Sequence, residues 1–215
     1  MDFNVITWEL VIDIFLLLLI GIGPKISLVP FLELTANMPA QTKAKVIKKM
    51  ITTAGIAALL LIIFGKLLTK LLHFSTGAMG IAGGIILLII SVTMVLSKGD
   101  TESIQQHAKK DDPIKLAVFP LAVPYLLNPA GIVTLITVSA EATSNILLVV
   151  VIGILAAIIC IDFVIFRWAT RVSEHLDPSR MLITEKVFGI LLAALSVQLM
   201  LDGLSEVGVI HLIAH

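Results

Sequence analysis

Charge is scarce in this chain of 215 residues: Asp, Glu, Lys and Arg together make up 14%, against about 25% in a typical soluble domain. Neither sign dominates, with 15 basic and 15 acidic residues, so no strongly charged partner such as nucleic acid is implied. Cysteine occurs once, at Cys160 inside an apolar block, so no disulfide forms within the chain. No Lys or Arg precedes Lys25. The basic start of a cleavable signal peptide is therefore missing, and the first hydrophobic segment is expected to stay as a membrane span. No Walker-type phosphate loop and no H-E-x-x-H pair is present, and the five histidines are widely spaced. Neither an enzyme, nor a cofactor, nor a bound metal is expected.

What the chain has in excess is apolar sequence: 58% of residues are hydrophobic and the mean hydropathy is +1.08. The excess is gathered into blocks nearly free of charge, Val5–Ile20, Ile51–Gly65, Met79–Leu96, Leu116–Val138, Ile146–Phe166 and Val187–Leu201. A bilayer core about 30 Å thick takes roughly 20 helical residues to cross. The first, second and sixth blocks reach that length only with their flanks. Continuous rather than alternating runs exclude a β-barrel, and the composition excludes a soluble enzyme. The fold class expected is all-α: a polytopic membrane protein with six transmembrane helices, solvated by the lipid bilayer.

The stretch from Ser97 to Lys115 is polar and reads as a linker between two halves, 1–96 and 116–215. Orientation follows from the basic residues. Lys43, Lys45, Lys48 and Lys49 follow the first span, Lys98, Lys109, Lys110 and Lys115 lie in the linker, and Arg167, Arg171, Arg180 and Lys186 precede the sixth span. These twelve fall on one side, only Lys66 and Lys70 on the other, and Lys25 is left inside a span. The basic loops are expected in the cytoplasm, both termini outside, in the cytoplasmic membrane of a prokaryote.

The halves repeat at an offset of 105 residues. Gly84-Ile85-Ile86-Leu87 and Ser91-Val92 fall on Gly189-Ile190-Leu191-Leu192 and Ser196-Val197, and Gly23-Pro24 falls on Asn128-Pro129. Each half holds three spans, an odd number, so the second half is expected to be inverted. The first span meets Gly21, Gly23, Pro24 and Pro30, and the fourth meets Pro120, Pro124, Asn128-Pro129 and Gly131. Residues 5–35 would make a helix of about 46 Å, too long for one straight crossing, so a break is expected near Gly23-Pro24. Proline removes an amide donor and clashes one turn back. The backbone groups it frees cannot face lipid. Paired interruptions in two inverted halves point to a transporter's midplane site.

The stretch Gly23-Pro24-Lys25-Ile26-Ser27-Leu28-Val29-Pro30-Phe31-Leu32-Glu33-Leu34-Thr35 resembles the first signature of the MarC family. Ile81-Ala82-Gly83-Gly84-Ile85 is similar to that family's third-span glycine motif. Phe119-Pro120-Leu121-Ala122-Val123-Pro124 with Asn128-Pro129-Ala130-Gly131-Ile132 is similar to its fourth-span signature. The resemblance implies six spans and kinship with the lysine-exporter superfamily, in which some relatives are regarded as transporters of small neutral amino acids. The chain departs from the commoner pattern at Gly23, where an acidic or amide residue often stands, and at Lys25, where a neutral residue is more usual.

Candidate substrate-binding residues are Gly23, Pro24, Lys25, Ser27, Asn128, Pro129, Gly131 and Thr134, and the candidates for coupling are Asp13 and Lys25. Lys25 would hold a carboxylate or release a proton; its structural alternative is capping freed carbonyls or snorkelling to the surface. Asp13 shares a helix face with Glu9, as a proton carrier or an interfacial charge. Asp162 and Glu33 are expected as interfacial charges. Ser27, Asn128 and Thr134 would bind an amino acid's charged ends or re-satisfy backbone near the breaks. Ser91, Thr93, Ser196 and Gln198 are expected in helix packing, and Gly80, Gly83 and Gly84 at a close helix approach that another span or another subunit would fill, leaving room for a homo-oligomer. The function expected is secondary active transport of a small molecule by alternating access, with protons as a candidate coupling ion. An exporter or channel for another small solute or ion, or a scaffold without transport, is the alternative.

Overall fold

A computed structural model of the chain describes residues 7–96, 112–142, 144–172 and 178–210. Regular structure among these residues is helical: α1 (Trp8–Gly21), α2 (Pro24–Thr35), α3 (Ala40–Leu72), α4 (Thr76–Leu96), α5 (Pro113–Leu116), α6 (Pro129–Glu141), α7 (Asn145–Val172) and α8 (Pro178–Glu206), with an irregularly wound segment, Ala117–Leu126, between α5 and α6. Proline at the first helical position starts α2, α5 and α6, where its missing amide would have no partner anyway. Thr7 caps α1 by accepting the Leu10 amide at 3.2 Å, and Glu9 sits in the first turn, favourable to the helix dipole. Of the linker expected over 97–115, residues up to 111 lie outside the described residues, as do both chain ends. Asp112 and Lys115 open the second half, with Asp112 capping α5 through the Ile114 amide at 3.0 Å.

Four helices are long and apolar enough to cross a membrane: α3, α4, α7 up to Arg171, and α8 from Lys186. Where the first and fourth spans were expected, the chain forms shorter helical pieces instead. α1 and α2 have 14 and 12 residues, about 21 and 18 Å, each short of the roughly 30 Å apolar core. At the other extreme α3, with 33 residues, reaches about 50 Å and extends beyond the core. The outward faces are as apolar as the interior: Ile56, Leu60, Ile63 and Leu67 of α3, and Val149 and Val164 of α7, are exposed. In water such faces would aggregate, whereas lipid solvates them.

The most extensive helix contact pairs α4 with α8. The two run antiparallel, Gly77 lying against Gly203, Gly84 against Ser196 and Gly189 against Ser91. A Cβ at Gly84 would lie 2.7 Å from the Ser196 carbonyl oxygen, and one at Gly189 would lie 3.2 Å from the Ser91 carbonyl oxygen. Gly84 and Gly189 are 105 residues apart in the sequence, as are Ser91 and Ser196. The contact is thus reciprocal: each helix uses its own glycine to seat the other's serine-bearing turn. Both serines are buried and turn their hydroxyls onto their own helix, Ser91 to Leu88 and Ser196 to Ala193, each at 2.7 Å.

The main core lies on the other side, where α1, α2, α3, the irregular segment, α6 and α7 bury Ile14, Leu18, Phe31, Ile62, Leu121, Leu135 and Phe166. Phe31 and Phe166 meet edge to face at 5.1 Å, fixing the end of α2 against α7. A polar side chain is inserted between two helices of this core: Ser139 of α6 donates to the Ile62 carbonyl at 2.8 Å and accepts from the Lys66 amide at 3.1 Å. Its hydroxyl therefore sits between the two ends of one turn of α3, and Gly65 gives it room.

Gly84→Ala is expected to lower the apparent melting temperature by several degrees, since overpacking against backbone costs about 1–3 kcal/mol. Gly153, with nothing within 4 Å of its Cβ position, is the matched control. Gly153→Ala should leave melting unchanged or slightly raised in detergent-solubilised protein.

Candidate functional site

The two helix breaks meet. Between α1 and α2 the chain runs extended through Ile22 and Gly23, and before α6 it runs extended through Leu127 and Asn128. Ile22 and Leu127 pair in a single antiparallel bridge, and the Asn128 amide donates to the Gly21 carbonyl at 3.0 Å. Both residues of the bridge are buried, and they are one repeat offset apart in the sequence. Gly21 and Gly131 bring their backbones into direct contact there, and a Cβ on either would collide with the other residue. Proline at positions 24 and 129 starts the helix that leaves each break.

The two breaks are capped differently. Asn128 is buried and uses both ends of its amide: its Oδ1 accepts the Gly131 amide at 3.0 Å and its Nδ2 donates to the Ile20 carbonyl at 2.9 Å. It thereby caps α6 and ties up the end of α1. Gly23, its counterpart, has no side chain to offer, and the N-terminus of α2 carries no side-chain cap. The uncapped amides of that first turn give it partial positive charge. Lys25 stands in the same turn, exposed, and makes no hydrogen bond or ion pair among the described residues.

The remaining site residues serve backbone. Ser27 is buried and donates to the Gly23 carbonyl at 3.1 Å, and Thr134 donates to the Ala130 carbonyl at 2.9 Å, each within its own helix. Pro24 is half-buried, while Pro129 and Gly131 are buried. Asp13 is exposed on α1 beside Ile12, Leu16 and Leu17, away from the break, and Glu9 is exposed above it. Thr93 and Gln198 are also exposed, with Gln198 donating to Asp202 at 2.7 Å.

Asp162 corrects an expectation. Read from its sequence position near Arg167 it belongs at the membrane interface, yet it is 1% exposed, and among the described residues neither carboxyl oxygen has a hydrogen-bond partner. The cause is the face it occupies. Ile158, Asp162 and Phe166 follow one stripe of α7, and that stripe is covered by the core up to the Phe31 contact. Asp162, Ser139 and Thr35 are buried polar residues that sequence reasoning misplaced or missed; Thr35 donates to the Phe31 carbonyl of its own helix at 2.7 Å, while Ser139 carries no motif, and only the depth of α6 against α3 makes it matter.

Helices with lipid-like exterior faces, two of their crossings interrupted and joined back to back, define an integral membrane protein with a paired-break centre. The chain belongs to the MarC family: the model of MarC family integral membrane proteins matches residues 8–208. It is 27% identical over 191 residues to the UPF0056 membrane protein YvbG of Bacillus subtilis, covering 86% of this chain and 90% of that protein. It is 28% identical over 193 residues to a UPF0056 membrane protein of Archaeoglobus fulgidus, covering 89% and 91%. A UPF0056 membrane protein of Chlamydia pneumoniae is 30% identical over 188 residues, covering 83% and 86%. No solved structure matches the chain.

Asn128→Ala is expected to destabilise the fold by about 2–4 kcal/mol, because it removes the α6 cap and strands the half-buried Ile20 carbonyl. Asn128→Asp keeps the capping oxygen but sets a carboxylate against that carbonyl, and should melt no higher than Asn128→Ala. An Asp variant as stable as the unmodified protein would show that the Nδ2 bond contributes little.

Proposed function

We propose that the protein is a secondary transporter of a small zwitterion, a small neutral amino acid being the substrate class, and that the paired breaks form its binding centre. The observation that carries this reading is the antiparallel Ile22–Leu127 pairing between equivalent positions of the two halves. It fits a chain of two inverted three-helix repeats, 1–96 and 116–215, joined by the linker 97–115 and crossing the membrane six times. In this arrangement the basic loops face the cytoplasm of a prokaryotic cell and both termini face outward. Discontinuous helices at a repeat interface are where transporters of this build hold their substrates.

The asymmetry of the caps assigns one end of the substrate. The uncapped amides of α2 and the Lys25 ammonium take the carboxylate. Asn128, Pro129, Gly131 and Thr134 hold the shape of the second break, and Gly23, Pro24 and Ser27 that of the first. Rocking of one half against the other across the α4–α8 glycine contact then exposes the centre to each side in turn.

Coupling to protons fits Asp162 better than Asp13. An unpaired carboxylate in an apolar interior costs several kcal/mol, and ionisable residues inside membrane spans are functional by default. Of the charged groups on the elements packed on α7, Glu9 and Asp13 lie on the exposed face of α1, Lys25 in the first turn and Glu33 in the last turn of α2, and Lys43–Lys49 and Lys66–Lys70 toward the two ends of α3. Asp162 would find a partner only when the halves move, which makes proton uptake and release part of the cycle.

The test is uptake of labelled glycine and alanine by purified protein in proteoliposomes, with and without an imposed pH gradient. Saturable uptake that follows the gradient is expected. Lys25→Ala should reduce it at least roughly tenfold, the factor that about 1.4 kcal/mol of lost binding represents. Asp162→Asn should retain binding but lose the response to the gradient. Full uptake by folded Lys25→Ala protein would remove that lysine from the site.

A further inference from the structure

A cavity of about 300 Å³ opens between the start of α3 and the end of α7, away from the paired breaks. Its walls carry Lys43 from α3 and Arg167, Thr170 and Arg171 from α7, while Met38 and Ile47 supply apolar surface. Among the described residues no acidic side chain lines it, and Lys43, Arg167 and Arg171 have no ion-pair partner. Three cations brought together without a counter-ion repel one another, an arrangement that an anion relieves.

From this arrangement we propose a binding site for a phosphate group, carried by an anionic lipid headgroup or by a small soluble phosphate. Arg167 and Arg171 are one turn apart on α7, so both stand on the helix face that lines the cavity. Planar guanidinium forks match phosphate oxygens in pairs. Lys43 approaches from the opposite wall, one turn above the buried Ile47. The first turn of α3 begins at Ala40 with Pro39 as its cap and no side-chain cap bond, so its free amides add partial positive charge at the same rim.

The position suits a membrane phosphate. Arg167 is the first basic residue after the apolar run of α7, and α3, longer than a bilayer's apolar core is thick, carries Lys43, Lys45, Lys48 and Lys49 in its first turns. Basic pockets between transmembrane helices at this depth hold anionic headgroups. The volume is at the small end of the roughly 300–1,000 Å³ of ligand cavities, enough for a headgroup or a small phosphate and too little for a whole lipid. The apolar lining from Met38 and Ile47 leaves the lipid side of the pocket compatible with the start of an acyl chain.

Native mass spectrometry and thermal shift on detergent-purified full-length protein test this with three probes: phosphatidylglycerol, phosphatidylcholine and inorganic phosphate. Phosphatidylglycerol is expected to bind and stabilise at least roughly tenfold more tightly than phosphatidylcholine, and to do so less at high salt. Arg167→Gln/Arg171→Gln should abolish the difference, while Lys66→Gln/Lys70→Gln, the same charge change at the far end of α3, should preserve it. If the double variant does not fold, Arg171→Gln alone, at an exposed position, gives the same comparison. Stabilisation by inorganic phosphate that the arginine variant loses would identify a soluble phosphate as the ligand, and phosphatidylglycerol alone would identify the headgroup. Equal binding of both lipids without a phosphate effect, or equal losses in the two double variants, would overturn the site.

Discussion

A helix that stops inside a bilayer leaves backbone amides and carbonyls that lipid cannot hydrogen-bond, and the rest of this structure follows from how that problem is met. Each of the two interruptions supplies part of what the other lacks. Ile22 and Leu127 align as a minimal antiparallel pair, the Asn128 amide takes the Gly21 carbonyl, and its side chain takes the carbonyl before it. The pairing requires two backbones at van der Waals distance, which is why Gly21 and Gly131 stand at the crossing. Side chains elsewhere fill around a point that main-chain hydrogen bonding has already fixed.

The second constraint is close helix contact without a hydrophobic driving force. Between helices in lipid, packing and small residues must supply the association that water would otherwise enforce. The reciprocal seating of Gly84 on the Ser196 turn and Gly189 on the Ser91 turn meets that need symmetrically. Lys186 adds a polar tie by donating to the Val95 carbonyl at 2.8 Å, closing the end of α4 against the start of the apolar part of α8. The α4–α8 contact and the paired breaks thus both relate equivalent positions of the two halves.

Much of this was legible in the sequence because proline and glycine act locally. Pro24 and Pro129 mark helix starts wherever they are placed, and the chain does break beside both. The glycine offset between Gly84 and Gly189 also survives translation into three dimensions, since only a residue without a side chain tolerates the contact each one makes. The roles of polar residues were less legible. A serine in a helix can satisfy its own backbone or reach across, and sequence does not distinguish Ser27, which bonds within α2, from Ser139, which enters a turn of α3. Asp162 illustrates the same gap: spacing from Arg167 gives its distance along α7, but its burial depends on which stripe α2 and α3 cover. Lys25 was singled out by its type, and among the described residues it stands exposed without a partner in an uncapped helix turn.

The most direct measurement of the central claim is disulfide trapping across the crossing. In a background where Cys160 is replaced by Ala, Ile22→Cys and Leu127→Cys would be introduced together and oxidised in membranes with a lipid-permeant oxidant. Opposed residues of an antiparallel pair lie within disulfide reach, with Cα atoms about 4.5–5.5 Å apart. Cleavage in the polar linker should then release two fragments that stay joined until reduced, and the Ile22→Cys/Leu135→Cys control should give none. Efficient joining at 22 and 127 alone would establish that the two breaks meet. Fragments that separate without reduction, from protein that remains folded in the membrane, would contradict the account.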